Sequence, residues 1–423
     1  HPSVIMWGVR INESPDDAEL YRATSELARE LDPLRPLGGV RNFPGSEMFE
    51  DVYTFNDFTH AGGKTAIQNP NRVKKKVPYL ITEHNGHMFP AKRYDAEPHR
   101  VEHALRHYRV LKAAFSRKRV AGAIGWCMCD YNTHHEFGSG DQVCYHGVLD
   151  MFRIPKYAAY VYAALQDEKP VMEVLGTMNY GDYPASFIES VYVATNLDCV
   201  KLYVNDAYVD TFYPERKSKL PHSLIKIDDF IGNRLVDQEG FTKFEARLTR
   251  KIFRAVAKRG LNIPLRYKLG MAFLMFKKRY KLADAMNLYY KYNASGAVYR
   301  FEGYKDGKLL KTVIKEPARK TAFRLTLDKK VLKPEATYDA VRAVVRKVDQ
   351  NDNLLVYSFD PVIVETEGGI DLIGPGEISL QGGAVGFWLK TNGKSAVGRV
   401  KVKAGNQILE ETIKIKTEAE NEH

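Results

Sequence analysis

The stretch VPYLITEHNGH, residues 77–87, is an apolar run that ends in a cluster of polar residues. Its first half is typical of a strand that is covered on both faces, since such strands are rich in aliphatic and aromatic side chains. Its second half contains Thr82, Glu83, His84, Asn85 and His87. In parallel α/β architectures functional residues collect where strands end. The stretch therefore predicts both a strand and a site.

Four other apolar stretches predict strands, and they are HPSVIMWGVRINE (1–13), PLGGVRNF (36–43), DVYTFNDF (51–58) and AGAIGWCMCDYN (121–132). Helical patterns separate them at residues 14–32, with Ser14 as the expected N-cap and Pro15 in the first turn, and at residues 97–118. A last helix is expected within residues 147–166. Apolar strands that alternate with helices predict a parallel sheet covered by helices, in an α/β region that ends near Gln166.

The pattern of apolar and polar residues changes from about Asp167. Residues 191–214 alternate with period two around a turn at Asn205-Asp206, which is typical of antiparallel sandwich strands. A helical stretch at about 239–292 interrupts this pattern before strands resume at 297–316. A further set of strands begins near Pro334. We therefore expect three domains at 1–166, 167–333 and 334–423, the last two being β-sandwiches.

Composition bounds the class of protein. The chain has 423 residues, of which 44% are hydrophobic and 27% charged, as in ordinary globular proteins with several domains. No apolar run reaches the roughly 20 residues that a bilayer span requires, so we expect no membrane partner. The four cysteines lack the paired spacing of a structural zinc site, which favours reduced thiols in a cytoplasmic protein.

The net charge of +11 is concentrated in one place. Residues 243–281 hold thirteen Lys or Arg side chains and one acid, Glu245, while the rest of the chain is close to neutral. A basic groove for nucleic acid is one reading of this segment. A solvated face of the predicted helices is the reading we favour, so no nucleic-acid partner is expected.

Two glutamates at separate strand ends suggest a chemistry. Glu13 and Glu83 each follow an apolar run, in the company of Asn, His and Trp residues. Glycoside hydrolysis needs one carboxylic acid to protonate the leaving oxygen and one carboxylate to attack the anomeric carbon. Taken singly, Glu13 could be a helix N-terminal acid, Glu83 a loop residue and Trp126 a core residue. Their joint placement at strand ends favours a site.

Three segments resemble glycoside hydrolase family 2, in its β-galactosidase branch. They are HPSVIMWGVRINES (1–14), LITEHNGHMFP (80–90) and the stretch from Gly125 to Leu165. The resemblance implies a partial (β/α)8 TIM barrel, strands four to eight, in residues 1–166. It also implies two immunoglobulin-like β-sandwich domains after the barrel, the first with a helical insertion. No cofactor and no metal site are implied.

The resemblance also implies roles for individual residues. Glu13 would be the general acid/base, with Asn12 binding the sugar 2-hydroxyl, and Glu83 would be the nucleophile of a retaining mechanism. Tyr53 would hydrogen-bond that nucleophile, and Trp126 would form the floor of the sugar subsite. The remaining candidates for sugar contact are Asn85, His87, Asp130 and His146. His146 stands where galactosidases of the family often have Asn. The spacing between Glu83 and His87 differs by one position from that of the corresponding His in better-known members of the family.

Two features that the sequence lacks bear on the substrate and on whether the barrel is complete. β-Glucuronidases of this family carry Asn-x-Lys before the last helix, whereas residues 138–150 contain neither Asn nor Lys. A neutral sugar, galactose first, is therefore expected, with a β-glucuronide or β-galacturonide as the alternative. Five parallel strands cannot close a barrel. The chain is thus expected to be part of a retaining exo-β-glycosidase that needs a missing N-terminal half or homo-oligomerisation.

A second hypothesis is a catalytically silent fragment that only binds carbohydrate or complements an N-terminal partner chain. For the isolated chain we expect little activity and a tendency to self-associate, because uncovered strand edges pair readily with other chains.

Overall fold

The computed structural model describes residues 1–41, 43–61, 65–73, 76–86, 89–135, 138, 140–178, 190–260, 262–293 and 296–416. Within these residues no helix is both long enough and apolar enough to cross a lipid bilayer.

The N-terminal part of the chain contains parallel strands at all five predicted positions. They are β1 (Trp7–Gly8), β2 (Leu37–Gly38) with β3 (Val40–Arg41), β4 (Tyr53–Asn56), β5 (Tyr79–Asn85) and β6 (Val120–Trp126). β1 pairs with β2, and β3, β4, β5 and β6 form one parallel sheet in that order. Only Gly39 separates β2 from β3, so the two ladders continue one another. The carboxyl ends of all these strands therefore lie at one edge.

Helices cover this sheet on one side. They are α1 (Ala18–Leu31), the short α2 (Pro70–Val73), α3 (Glu97–Phe115) and α4 (Tyr157–Ala163), with a 3-10 turn at Thr59–Ala61. Val110 of α3 packs on Tyr53, Phe55 and Ile81, and other α3 residues pack on α4. The alternate side chains of β4 and β5 therefore face the helices, which leaves the intervening ones for the opposite face of the sheet.

The expected start of the first helix is wrong by several residues. Asp17, not Ser14, is the N-cap, because its carboxylate accepts a hydrogen bond from Leu20 N at 3.0 Å. The Ser14 hydroxyl instead bonds to the hydroxyl of Tyr21. The last helix is also shorter than expected, since a two-stranded ribbon of β7 (Tyr131–Asn132) and β8 (Val143–Cys144) and an irregular segment precede α4.

The next part of the chain forms two antiparallel sheets. The strands are β9 (Met172–Leu175), β10 (Val191–Thr195), β11 (Cys199–Val204), β12 (Ala207–Phe212), β13 (Ile225–Ile227), β14 (Tyr299–Lys305) and β15 (Lys308–Lys315). Their orders are β13-β10-β9 and β12-β11-β14-β15, and one apolar core joins both sheets. The turn expected at Asn205-Asp206 is confirmed, and both residues adopt positive φ angles.

Four helices lie between β13 and β14 in the chain. They are α5 (Arg234–Glu239), α6 (Lys243–Arg259), α7 (Leu265–Lys278) and α8 (Leu282–Asn293), and they share a core of their own. Glu245, the single acid of the basic segment, forms a capping box with Thr242 and an ion pair with Lys277 at 2.9 Å. This acid thus anchors the start of α6 and ties α7 to it.

The C-terminal strands form a second pair of sheets around another core. They are β16 (Thr321–Leu327), β17 (Val331–Leu332), β18 (Ala340–Asp349), β19 (Pro361–Gly368), β20 (Ile370–Ile373), β21 (Glu377–Ser379), β22 (Ala384–Thr391), β23 (Val397–Ala404) and β24 (Gln407–Ile415). The sheet orders are β16-β18-β22-β20 and β17-β24-β23-β19-β21. Phe323 and Leu332, which precede the boundary expected at residue 333, belong to this core. The division into three domains remains a prediction.

Phe301 tests the core that joins the sheet β13-β10-β9 to the sheet β12-β11-β14-β15. It lies on β14 and is fully buried there, so Phe301→Ala should remove about 3–5 kcal/mol from the free energy of unfolding. Leu309→Ala, on the neighbouring strand and largely exposed, should change it by less than about 1 kcal/mol. Peptide-resolved hydrogen exchange of β11 and β14 measures both values. Equal losses in the two variants would contradict this core assignment.

Candidate active site

The pairing of β4 with β5 places Asn56 beside Glu83. A bulge between Phe55 and Asn56 shifts the register, so Asn56 lies opposite Glu83. Asn56 Nδ2 donates a hydrogen bond to Glu83 Oε2 at 2.8 Å, and Asn56 Oδ1 accepts one from Thr82 Oγ1 at 3.4 Å. Because Asn56 is itself buried, it holds the Glu83 carboxylate in one orientation.

Glu13 lies close enough to Glu83 to affect its titration. Burial raises the pKa of Glu83, and the negative charge of Glu13 raises it further, while the hydrogen bond from Asn56 lowers it. Glu13 stands in the exposed turn after β1, with Asn12 half-buried beside it. Two carboxylates from distant parts of the sequence thus interact electrostatically. The hydrogen bond from Asn56 favours the ionised form of Glu83, which is the form that a nucleophile needs, against the effect of burial and of the Glu13 charge.

A buried ion-pair network fixes the strand from which Glu13 extends. Glu50 binds the guanidinium of Arg10 through Oε1 and that of Arg41 through Oε2, the latter at 2.7 Å. The three side chains are almost completely buried. A Cβ atom built at Gly39 would lie 2.6 Å from Glu50 Oε1, so the network needs glycine between β2 and β3. The position of Glu13 therefore depends on this network.

The predicted role of Tyr53 is wrong. Its hydroxyl donates to Pro44 O at 3.1 Å, and its ring packs in the core between the sheet and α3. In register Tyr53 lies opposite Tyr79, at the amino ends of β4 and β5, whereas Glu83 lies near their carboxyl ends. The residue that hydrogen-bonds Glu83 is Asn56, because it lies three positions further along the strand and faces the other side.

Trp126 and Asn85 occupy paired positions at the ends of β6 and β5. The Trp126 side chain is 45% exposed, and its indole Nε1 donates to the Tyr131 hydroxyl at 3.2 Å. This exposure excludes the reading of Trp126 as a core residue. Asn85 is buried, and its Nδ2 lies 3.1 Å from His84 Nδ1. Trp126 thus presents an indole next to the strand that carries Glu83.

Asp130 and His146 lie behind this surface. Asp130 Oδ1 accepts hydrogen bonds from Lys156 Nζ at 2.6 Å and from Gly147 N at 2.8 Å. Burial raises the pKa of Asp130 to about 6 although Lys156 lowers it. His146 is buried with its ring 6.3 Å from that of Tyr131. Asp130 thus joins the segment after β6 to Gly147 and Lys156. His87, a further candidate for sugar contact, falls outside the described residues.

A row of buried histidines backs β5 on the helix side. His84 lies 5.6 Å from His107, which lies 5.0 Å from His103, all between ring centroids. His60 is 6.4 Å from His84, and His107 Nδ1 is 2.9 Å from the Tyr162 hydroxyl. Burial lowers the pKa of His84 and of His103 to about 3, so these rings are neutral near pH 7. Within the described part of the chain, no three His, Cys, Asp or Glu side chains are arranged to hold a metal ion.

The sequence analysis missed Asn56 and the ion-pair network as parts of the site. Alternation within β4 contains a signal for Asn56, since Tyr53 and Phe55 are apolar while Thr54 and Asn56 are polar. No comparable signal exists for the pairing of Glu50 with Arg10 and Arg41, because Glu50 lies in an irregular segment.

Several known proteins are similar in sequence to this chain. Residues 1–168 match the model of the TIM barrel domain of glycosyl hydrolases family 2. A β-galactosidase of Thermoanaerobacterium thermosulfurigenes is 36% identical over 393 residues, which are 91% of this chain and 48% of that protein. Residues 1–168 belong to glycoside hydrolase family 2. The chain spans about half the length of the curated relatives it matches.

Solved structures share the fold of this chain. A β-glycosidase from Bacteroides vulgatus superposes with a TM-score of 0.65 at 16% identity, covering 98% of this chain and 51% of that one. A family 2 β-glucuronidase superposes with a TM-score of 0.61 at 17% identity, covering 99% of this chain and 39% of that one. At these identities the likeness extends to the fold and not to the substrate.

Removal of the Glu13 charge tests the electrostatic contact between the two glutamates. In Glu13→Gln we expect the pKa of Glu83 to fall towards its usual value, because one cause that raises it is gone. Glu19→Gln, an exposed position in the first turn of α1, should leave the pKa of Glu83 unchanged. Titration of ¹³C-labelled glutamate carboxyl groups by NMR measures it. An unchanged pKa in Glu13→Gln would refute the contact.

Glu50 tests the buried network. Glu50→Gln keeps the size of the side chain but leaves the buried Arg41 without its counter-charge and Arg10 with only the partly exposed Asp16, so the free energy of unfolding should fall by about 3–5 kcal/mol. Glu47→Gln removes a carboxylate from an exposed pair with Arg22 and should cost less than about 1 kcal/mol. Hydrogen exchange of the β3 and β4 amides measures the loss of stability in each variant. A stability loss in Glu50→Gln no larger than in Glu47→Gln would count against the network.

Proposed function

We propose that this chain carries the catalytic carboxylates of a retaining exo-β-glycosidase that hydrolyses terminal β-D-galactosyl residues. The observation that supports it best is the pair of glutamates at strand ends, with Glu83 held by Asn56 and Glu13 near enough to raise the pKa of Glu83. Two carboxyl groups around one glycosidic bond are what this hydrolysis requires.

In the proposed mechanism Glu83 attacks the anomeric carbon and Glu13 donates a proton to the departing glycosidic oxygen. The C–O bond to the aglycone breaks as the bond from Glu83 Oε to the sugar forms. Glu13, now a carboxylate, then removes a proton from water, whose oxygen attacks the same carbon and releases Glu83. Two inversions give net retention. The hydrogen bond from Asn56 orients Glu83 for the first attack.

The sugar would be bound by groups at the same edge of the sheet. Asn12, next to Glu13 in the chain, would hydrogen-bond the 2-hydroxyl, and the exposed indole of Trp126 would pack against the apolar face of the ring. Asn85 and Asp130 are buried and act as positioning residues for these two strand ends.

Galactose is proposed over a uronic acid for two reasons. The relative from Thermoanaerobacterium thermosulfurigenes bears the name β-galactosidase at 36% identity, whereas the β-glucuronidase structure is only 17% identical. In addition, Lys156 Nζ donates to Asp130 Oδ1 and to Ala91 O, both at 2.6 Å. This buried ammonium group is therefore not free to bind the carboxylate of a uronic acid.

We further propose that a chain segment equivalent to the missing part of the barrel completes the site. β6 pairs with β5 on one side, and the structure describes no strand on its other side. Large apolar side chains are exposed near this edge and near β1, and they are Ile5, Ile11, Ile124 and Met128. An uncovered sheet edge with apolar neighbours needs a partner, which would be an N-terminal half or a second copy of this chain.

A mechanism-based label tests the function. The chain is treated with an activated 2-deoxy-2-fluoro-β-galactoside, alone and mixed with the N-terminal half of a family 2 β-galactosidase, and the labelled peptide is found by mass spectrometry. We expect the label on Glu83, and more of it in the mixture. Glu83→Gln should not be labelled, whereas Glu19→Gln, remote in α1, should be labelled as the unchanged chain is.

Each other outcome changes the assignment. A label on another residue would refute the role of Glu83. Faster labelling by the corresponding 2-fluoro-glucuronide would replace galactose by a uronic acid. Absence of label in both preparations, together with saturable galactose binding, would favour the silent carbohydrate-binding fragment.

A further inference from the structure

A cavity separate from the glutamates lies where α3, α4 and both sandwiches meet. Its volume is about 310 Å³, which is at the lower end of the range for small-molecule sites. It is lined by Arg100 of α3, by Tyr157 and Tyr160 of α4, and by segments around Lys315 and Tyr357 from the two sandwiches. Helices α3 and α4 and both groups of antiparallel sheets therefore contribute to its wall.

Arg100 is the unusual feature of this wall. The residue is 5% exposed, and its guanidinium forms no hydrogen bond with any described residue, with Nε and Nη2 wholly buried. The nearest carboxylate oxygen is Glu97 Oε2 at 3.6 Å, and that oxygen already accepts from Thr177 N at 2.6 Å. A buried charge without hydrogen bonds is expensive, so a guanidinium in this state indicates an absent acceptor.

Two tyrosine rings bracket the guanidinium. Arg100 Cζ lies 4.8 Å from the centroid of Tyr157 and 5.8 Å from that of Tyr357. These contacts hold the guanidinium in place, and its N–H donors point outward from the edge of the planar group. Pro155, Leu354 and Val356 add apolar surface to the cavity. The wall thus combines a fixed cation with a flat apolar and aromatic lining.

The other charges of the cavity are mostly neutralised. Arg93 is bonded to Asp150 and to three backbone carbonyls, and Lys156 is bonded to Asp130 and Ala91. Lys315 is almost buried and has no ion pair or hydrogen bond among the described side chains. Burial raises the pKa of Glu173, which faces Lys315, and the positive charge of Lys315 lowers it. Glu316 and Asp349 also line the cavity, and Asp349 accepts hydrogen bonds from Asn351 N and from Asn353. Arg100 and Lys315 are therefore the buried cations of this wall that have no hydrogen bond among the described residues.

We propose that this cavity binds a small organic oxyanion, a carboxylate or phosphate group carried on a flat apolar body. The oxyanion would accept hydrogen bonds from Arg100, assisted by the charge of Lys315, and the apolar body would pack against Tyr157 and Tyr357. Guanidinium groups pair well with carboxylates and phosphates because their donors match the spacing of the two oxygens. The proposal stands independently of the sugar chemistry at Glu83.

Isothermal titration of the full chain at constant ionic strength tests it with three probes, namely benzoate, its neutral analogue benzamide and inorganic phosphate. Benzoate should bind at least tenfold more tightly than benzamide, and more tightly than phosphate. Arg100→Gln should weaken benzoate binding at least tenfold. Arg109→Gln, on the same helix but exposed and paired with Glu102, should bind benzoate as the unchanged chain does.

Tyr357→Ala keeps the test decisive if Arg100→Gln fails to fold. Tyr357 is exposed, so its removal should leave the melting temperature unchanged and weaken benzoate binding several-fold. Equal binding of benzoate and benzamide, or benzoate binding that ignores both Arg100 and Tyr357, would overturn the proposal. If phosphate binds more tightly than benzoate, the part of the proposal that concerns the apolar body is overturned. If none of the three probes shows saturable binding, the whole proposal is overturned.

Discussion

The parallel pairing of β4 with β5, with its one-residue bulge, is the constraint on which the candidate active site depends. Phe55 pairs with Ile81, so an unbroken ladder would place Asn56 opposite Thr82. The bulge moves Asn56 to Glu83 instead, and because side chains alternate along a strand, one position decides which face a residue occupies. The hydrogen bond that orients the carboxylate therefore follows from an irregularity in the sheet.

Glu13 reaches the same site by a different physical route. Its strand, β1, pairs with β2 over only two residue positions, which is too short a ladder to fix the turn that follows. The Arg10–Glu50–Arg41 network supplies the missing constraint, because three buried charges with short contacts admit little movement. One carboxylate is thus held by backbone register and a neutral amide, and the other by electrostatics acting several residues away.

The sequence was sufficient for the strands and for their order along the chain, because an apolar run followed by polar residues marks a buried strand and its end. The shared site of Glu13 and Glu83 remains a prediction. The sequence was insufficient for the role of Tyr53, because the face that this side chain occupies depends on the register between β4 and β5. It was insufficient for Asp130 as well, since the Lys156 that engages it lies 26 positions later in the chain. The start of α1 was misplaced because Ser14 and Asp17 are both good N-caps and only the course of the chain after Glu13 decides between them.

The neutral histidines behind β5 have a consequence for the surroundings in which this fold persists. An unfolded chain takes up protons on these rings below about pH 6.5, whereas the folded chain resists doing so until about pH 3 at His84 and His103. Protons therefore favour the unfolded chain throughout that interval, and stability falls as the solution becomes more acidic. Mild acid should therefore loosen the wall that supports Glu83 from behind, and this effect begins at a higher pH than the titration of ordinary carboxylates.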